Sequence, residues 1–124
     1  NVFWNLEYAD KAYEEAYRVL KKDGILILED GNYYRRFFSD KYQKAYDEFQ
    51  RGHEKEEQGC HARHNKENVD FSIMDEIAKK LPMSQVDRPA WDFNKLVETG
   101  FHKIQVEIAG SSLPMSFCIV AQKG

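Results

Sequence analysis

Cysteine is nearly missing from this chain: Cys60 and Cys118 are the only two among 124 residues. Two thiols are too few to staple a small domain, which excludes a disulfide scaffold and predicts a reducing, cytoplasmic setting. Cys118 falls inside an apolar run, where a reduced thiol packs as a small hydrophobe. Long hydrophobic runs are missing too. None approaches the roughly 20 residues that a bilayer crossing needs, and the chain opens without a charged-then-apolar leader, so no membrane partner is expected. An excess of one charge is also lacking. A net charge of −3, mixed in sign along the chain, leaves no basic footprint for nucleic acid or anionic lipid.

What is present is 42% hydrophobic residues, enough for one domain around one core at this length. The opening "NVFWNL", two large aromatics with no Met before them, reads as the inside of a longer gene product. From Tyr8 to Lys22 apolar residues recur at Tyr8, Ala12, Tyr13, Ala16, Tyr17, Val19 and Leu20, a helical period. Lys21 and Lys22 suit a helix C-terminus, and Gly24 is expected to take the left-handed position that closes it. "ILIL", Ile25 to Leu28, has no polar alternation, so a central strand covered on both faces is predicted. It ends in Glu29, Asp30, Gly31 and Asn32, polar and turn-prone, where open α/β sheets place ligands.

From Tyr33 the composition turns aromatic and charged, with a helical stripe at Tyr42, Ala45, Tyr46 and Phe49. Beyond Gly52 the pattern dissolves into a loop or frayed helix end, and 33–90 as a whole reads as a helical lid or insertion. Ile73, Ile77, Ala78 and Leu81 form a second amphipathic run that Pro82 stops. Asp92 is placed to cap a helix bearing Phe93, Leu96 and Val97, and Gly100 to end it. "HKIQVEIAG" alternates Ile104, Val106 and Ile108 with polar residues, and "MSFCIVAQK" is apolar from Phe117 to Ala121. The short link "GSSLP" predicts that these two strands form an antiparallel hairpin.

This order resembles one half of a doubly wound sheet. "NVFWNL...AYEEAYRVLKKDGILILEDGNYY" is similar to the stretch from the end of strand four through strand five of class I S-adenosylmethionine-dependent methyltransferases, including the E-x-x-R-V-L-K-x-x-G helix and turn. The tail "RPAWDFNKLVETGFHKIQVEI...MSFCIVAQKG" resembles their last helix and terminal strand pair, with its L-x-x-x-G-F step. The resemblance covers nearly all of the chain as a single partial domain, 1–124. It implies an α/β, Rossmann-like fold in its C-terminal half: helix, strand five, aromatic insertion, helix, and strands six and seven as a hairpin. Such enzymes hold S-adenosylmethionine on a glycine-rich loop and an acidic strand end; here Gly24, Gly31, Gly52 and Gly59 stand isolated. The N-terminal cofactor-binding half is therefore expected upstream, and these residues alone are expected to be inactive.

The resemblance implies that Asn1, Val2, Phe3 and Trp4 form the lip beside the cofactor; Phe3 and Trp4 also read as core anchors for the first helix. Asp30, Asn32, Tyr33 and Tyr34 fall where it puts the substrate pocket, although Asp-Gly-Asn is ordinary turn chemistry as well. The stripe Phe37, Phe38, Tyr42, Tyr46 and Phe49 reads first as packing. Arg88 and Trp91 read as pocket wall or as the seat of the last helix. His53, Cys60, His61 and His64 carry ligand-type side chains in no zinc spacing, so no metal is assigned. No catalytic residue stands out. The expected partners are a small-molecule methyl acceptor and, through the exposed sheet edge, a second copy of the chain; the alternative function is a non-catalytic interaction or dimerisation module with the same half-sheet.

Overall fold

The computed structural model describes residues 2–56, 70, 72–109 and 113–124, with backbone alone for 53–56. Its fold is mixed α/β. Four helices, α1 (Ala9–Val19), α2 (Asp40–Glu56), α3 (Ser72–Lys80) and α4 (Ala90–Thr99), accompany strands β1 (Ile25–Gly31), β2 (Phe101–Ala109) and β3 (Ser116–Lys123) among the described residues. The strands lie in the order β1-β3-β2, with β3 antiparallel to both neighbours. The predicted hairpin of β2 and β3 is therefore present, and β1 and β2 run parallel to each other on either side of β3.

Burial on one face of this sheet explains why the apolar residues are where they are. Leu26 and Leu28 stand opposite Ala121 and Ile119, which places them on the face that α1 and α4 cover. Tyr13 of α1, Leu96 of α4, and Phe101, Phe117, Ile119 and Ala121 of the sheet form the core, and Phe3, Tyr17, Leu20 and Trp91 close around it. The buried Leu96, Phe101, Phe117 and Ile119 each contribute on the order of 1.5–3 kcal/mol through burial.

The opposite face corrects an expectation. Ile25 is 57% and Ile27 67% exposed, because among the described residues both sheet-packing helices sit on the other side. Cys118 likewise lies half-buried on this bare face, across from Glu29 and Glu107, and does not pack into a core.

Three local details also differ from expectation. Asp23, with φ +62°, takes the left-handed position after α1; Gly24 is needed for closeness, since a Cβ there would stand 2.8 Å from the Lys21 carbonyl oxygen. The carbonyls of Tyr17 and Leu20 at that helix end receive the Lys123 ammonium at 2.6 and 2.8 Å. In β2 a bulge between His102 and Gln105, with Lys103 at φ +47°, breaks the alternation that the sequence suggests. Helix α2 continues to Glu56 instead of fraying at Gly52. Gly100 does end α4, at φ +113° with its N–H on Leu96 and Val97 carbonyls.

Candidate functional site

Asp92 is no helix cap. It sits in the first turn of α4, fully buried, and its carboxylate accepts the Tyr13 hydroxyl at 2.6 Å and two Arg88 N–H groups at 2.9 and 2.8 Å. The remaining Arg88 amino group donates to Asp30 Oδ2 at 2.7 Å, and the backbone N–H of Trp4 reaches the same oxygen at 2.8 Å. Arg88 also lies 5.1 Å from the centre of the Phe117 ring. One guanidinium thus joins α1, α4, the end of β1 and the first turn of the chain. Burial acts to lower the Arg88 pKa, but the hydrogen bonds and charges of Asp92 and then Asp30 outweigh it and hold the pKa above the usual arginine value. The Tyr13 phenol is pushed far up, first by burial and then by the Asp92 charge. Both groups keep their protons.

This network fixes what lies in front of it. Asn32 is buried; its side-chain amide donates to the carbonyls of Arg88 and Pro114 at 2.7 Å each, and its N–H to the Met115 carbonyl at 3.0 Å. The loop that enters β3 is therefore clamped to the end of β1. Gly31 permits this approach, since a Cβ there would collide with the Met115 carbonyl oxygen. Arg35 extends the clamp to the Gln85 carbonyl and to Asp87, both at 2.7 Å.

With the backbone so held, the Trp4 ring stands 4.9 Å from Tyr34 and 6.5 Å, edge on, from Tyr33. These three rings line an open cleft of about 1080 Å³. Tyr46 and Phe49 of α2 and Met74 and Asp75 of α3 also line it, with Ala109, Met115 and Ser116 at the sheet end. The cleft opens at the carboxyl ends of the parallel strands β1 and β2, the position that α/β sheets use for ligands. Arg36 lies in it, stacked 4.1 Å from Tyr46, 4.5 Å from Phe37 and 5.3 Å from Tyr34. Burial, followed by the Asp30 charge, raises the Tyr33 pKa, so its hydroxyl is a donor at neutral pH and not a base.

The structure thus brings the two groups of sequence-derived residues together. Trp4, Tyr33 and Tyr34 line the cleft, whereas Asp30 and Asn32 stand behind it as its support. Phe3 packs on Tyr13 at 4.6 Å, and Val2 is exposed. Asn1 lies outside the described residues, as do Cys60, His61, His64 and the His53 side chain. The aromatic stripe divides: Tyr46 and Phe49 face the cleft, Tyr42 is buried, and Phe38 is exposed. Trp91 is the seat of the last helix, 6.1 Å from Tyr13, and Arg88 belongs to the buried network, not to the pocket wall. The sequence reading missed Arg36, Asp75 and Met115; only the position of Arg36, two residues beyond Tyr34, hinted at it. No helix among the described residues is long and apolar enough to cross a membrane. No family model, curated protein or solved structure matches this chain.

Proposed function

We propose that these residues form the substrate-facing half of a class I S-adenosylmethionine-dependent methyltransferase that acts on a small molecule, with the cofactor-binding half in polypeptide outside the 124 residues. The observation that carries this reading is the cleft at the carboxyl ends of β1 and β2, with the lip residue Trp4 and the strand-end residues Tyr33 and Tyr34 on one wall. Its volume suits a small organic molecule.

The residues present do not hold the cofactor on their own. Phe3 is turned into the core, the Trp4 N–H is occupied by Asp30, and no glycine-rich loop is at hand. What this chain supplies is a wall. Methyl transfer depends chiefly on an in-line approach in a site shielded from water, and the aromatic rings of the cleft provide both orientation and shielding. Arg36 and the protonated Tyr33 supply hydrogen-bond donors.

Calorimetric titration with S-adenosylmethionine and S-adenosylhomocysteine tests the reading, run on the full natural polypeptide and on these 124 residues side by side. Binding by the full polypeptide alone is the expected result. Binding by neither removes the enzyme reading, and binding by the 124 residues alone overturns the division between the two halves.

One observation favours a second reading, a non-catalytic module that self-associates. The outer edge of β1 pairs with no strand among the described residues, and Ile25 and Ile27 stand exposed beside it. Light scattering that finds a monomer across the concentration range removes this alternative.

A further inference from the structure

We infer that the cleft takes a planar aromatic acid, its ring laid against the aromatic lining and its carboxylate held by Arg36. Calling that acid a methyl acceptor rests on the proposed function; its binding does not.

The ring half of the inference comes from the walls. Trp4, Tyr33, Tyr34, Tyr46 and Phe49 all line the cleft. Rings favour flat partners in offset or edge-on contact, and burying a flat ring against them removes apolar surface from water.

The charge half comes from Arg36. Its side chain is only 12% exposed, and three rings hold it in place. One of its amino groups donates to the Tyr33 carbonyl at 2.7 Å. The other reaches Asp75 at only 3.5 Å, to a carboxylate that is itself 36% exposed. Charge-assisted bonds between arginine and carboxylate close to about 2.7–2.9 Å and are commonly two-pronged, so Asp75 is a weak partner that a ligand carboxylate can displace.

The opposite sign of ligand is disfavoured by the same contacts. Of the lining rings, Tyr34 and Tyr46 already carry Arg36, whose charge opposes a second cation beside it, and Lys79 stands 4.8 Å over the Phe37 ring. Glu48 lies at the exposed rim, where solvent screens it.

Three probes with one ring system and three charges test this: 2-naphthoate, 2-naphthol and 2-naphthylmethylamine, titrated calorimetrically into the wild-type protein. Naphthoate should bind about tenfold more tightly than naphthol, with the amine weakest. The Trp4 indole N–H resonance should shift on binding, while that of Trp91, seated behind the sheet, stays. Arg36→Gln should abolish the naphthoate advantage and leave naphthol binding within about twofold, with Arg36→Lys intermediate because it keeps the charge and loses the fork. The wild-type series stands even if a variant fails to fold. Equal binding of all three probes, tighter binding of the amine, or no binding at millimolar concentration overturns the inference. Naphthoate binding in a protein that never engages S-adenosylmethionine supports the site and removes the methyl-transfer reading. Cofactor binding without naphthoate binding does the reverse.

Discussion

Replacing Arg88 by methionine leaves Asp30 and Asp92, both essentially inaccessible to solvent, without the cation that compensates them. The three guanidinium bonds of 2.7 to 2.9 Å disappear together. Removal of one partner from a buried ion pair typically costs about 3–5 kcal/mol, a large part of the roughly 5–15 kcal/mol that holds a domain folded. For a chain of this size that corresponds to a fall in melting temperature of about 12–20 °C. Urea unfolding followed by tryptophan fluorescence measures the cost. A double-mutant cycle with Asp92→Asn then locates it. In the wild type, Asp92→Asn loses charge and one acceptor position beneath Arg88 and Tyr13. In the Arg88→Met background the same change removes one of two stranded charges, so it should cost much less or even stabilise, giving a coupling of about 1–3 kcal/mol. Additive effects, or an Arg88→Met variant within about 0.5 kcal/mol of wild type, refute the network reasoning.

Alkaline pH should destabilise the fold. The Tyr13 phenol has its pKa raised in the native state by burial and by Asp92, so above about pH 10 the unfolded chain releases a proton that the folded one keeps, and stability falls by about 1.4 kcal/mol per pH unit. This contribution is intact below the unfolded value, and Tyr13→Phe should flatten the slope in a pH series of urea melts. Gly31→Ala should cost about 1–3 kcal/mol, because its Cβ meets the Met115 backbone oxygen; it should also weaken naphthoate binding, since the same contact sets the cleft wall. Ile27→Lys, on the bare face, should leave the urea midpoint within about 0.5 kcal/mol while shifting any self-association seen by sedimentation toward monomer; an unchanged oligomer removes that face as the contact.

Periodicity made the elements legible because it is local. The spacing of Ala12, Tyr13, Ala16 and Tyr17 marks α1, and Gly100 marks the end of α4, since only a left-handed residue fits there. The juxtaposition of Trp4 with the end of β1 was not legible in that way. The Trp4 N–H and Asp30 are 26 residues apart, and no local signal joins them. Asp92 shows the limit most plainly. An aspartate at the start of a helical run is a good cap by type, yet its decisive partner, Tyr13, lies 79 positions away. Tertiary pairing overrode the local preference. The bareness of Ile25 and Ile27 has a related origin: a run of aliphatic residues reports that a strand suits burial on both faces, not which face the helices will cover, and among the described residues they cover only the other one.

A buried cluster of two carboxylates and one guanidinium is an odd way to support an aromatic cleft, since well-packed apolar residues are often as stable or more so. Direction is what the charges add. An apolar core would hold Trp4, Asn32 and Met115 at the right density without fixing their rotation or register, and neighbouring packings would differ little in energy. Asp30 Oδ2, by accepting both the Trp4 N–H and Arg88, admits one position for the lip. Asn32, by donating to Arg88 and Pro114 carbonyls, admits one register for the loop that enters β3. The cleft wall therefore inherits its geometry from hydrogen bonds with defined angles and not from volume alone. It follows that Arg88→Met combined with apolar replacements of Asp30 and Asp92 should regain much of the lost stability, yet bind naphthoate less well than the wild type. Recovery of both would mean that packing alone shapes the cleft.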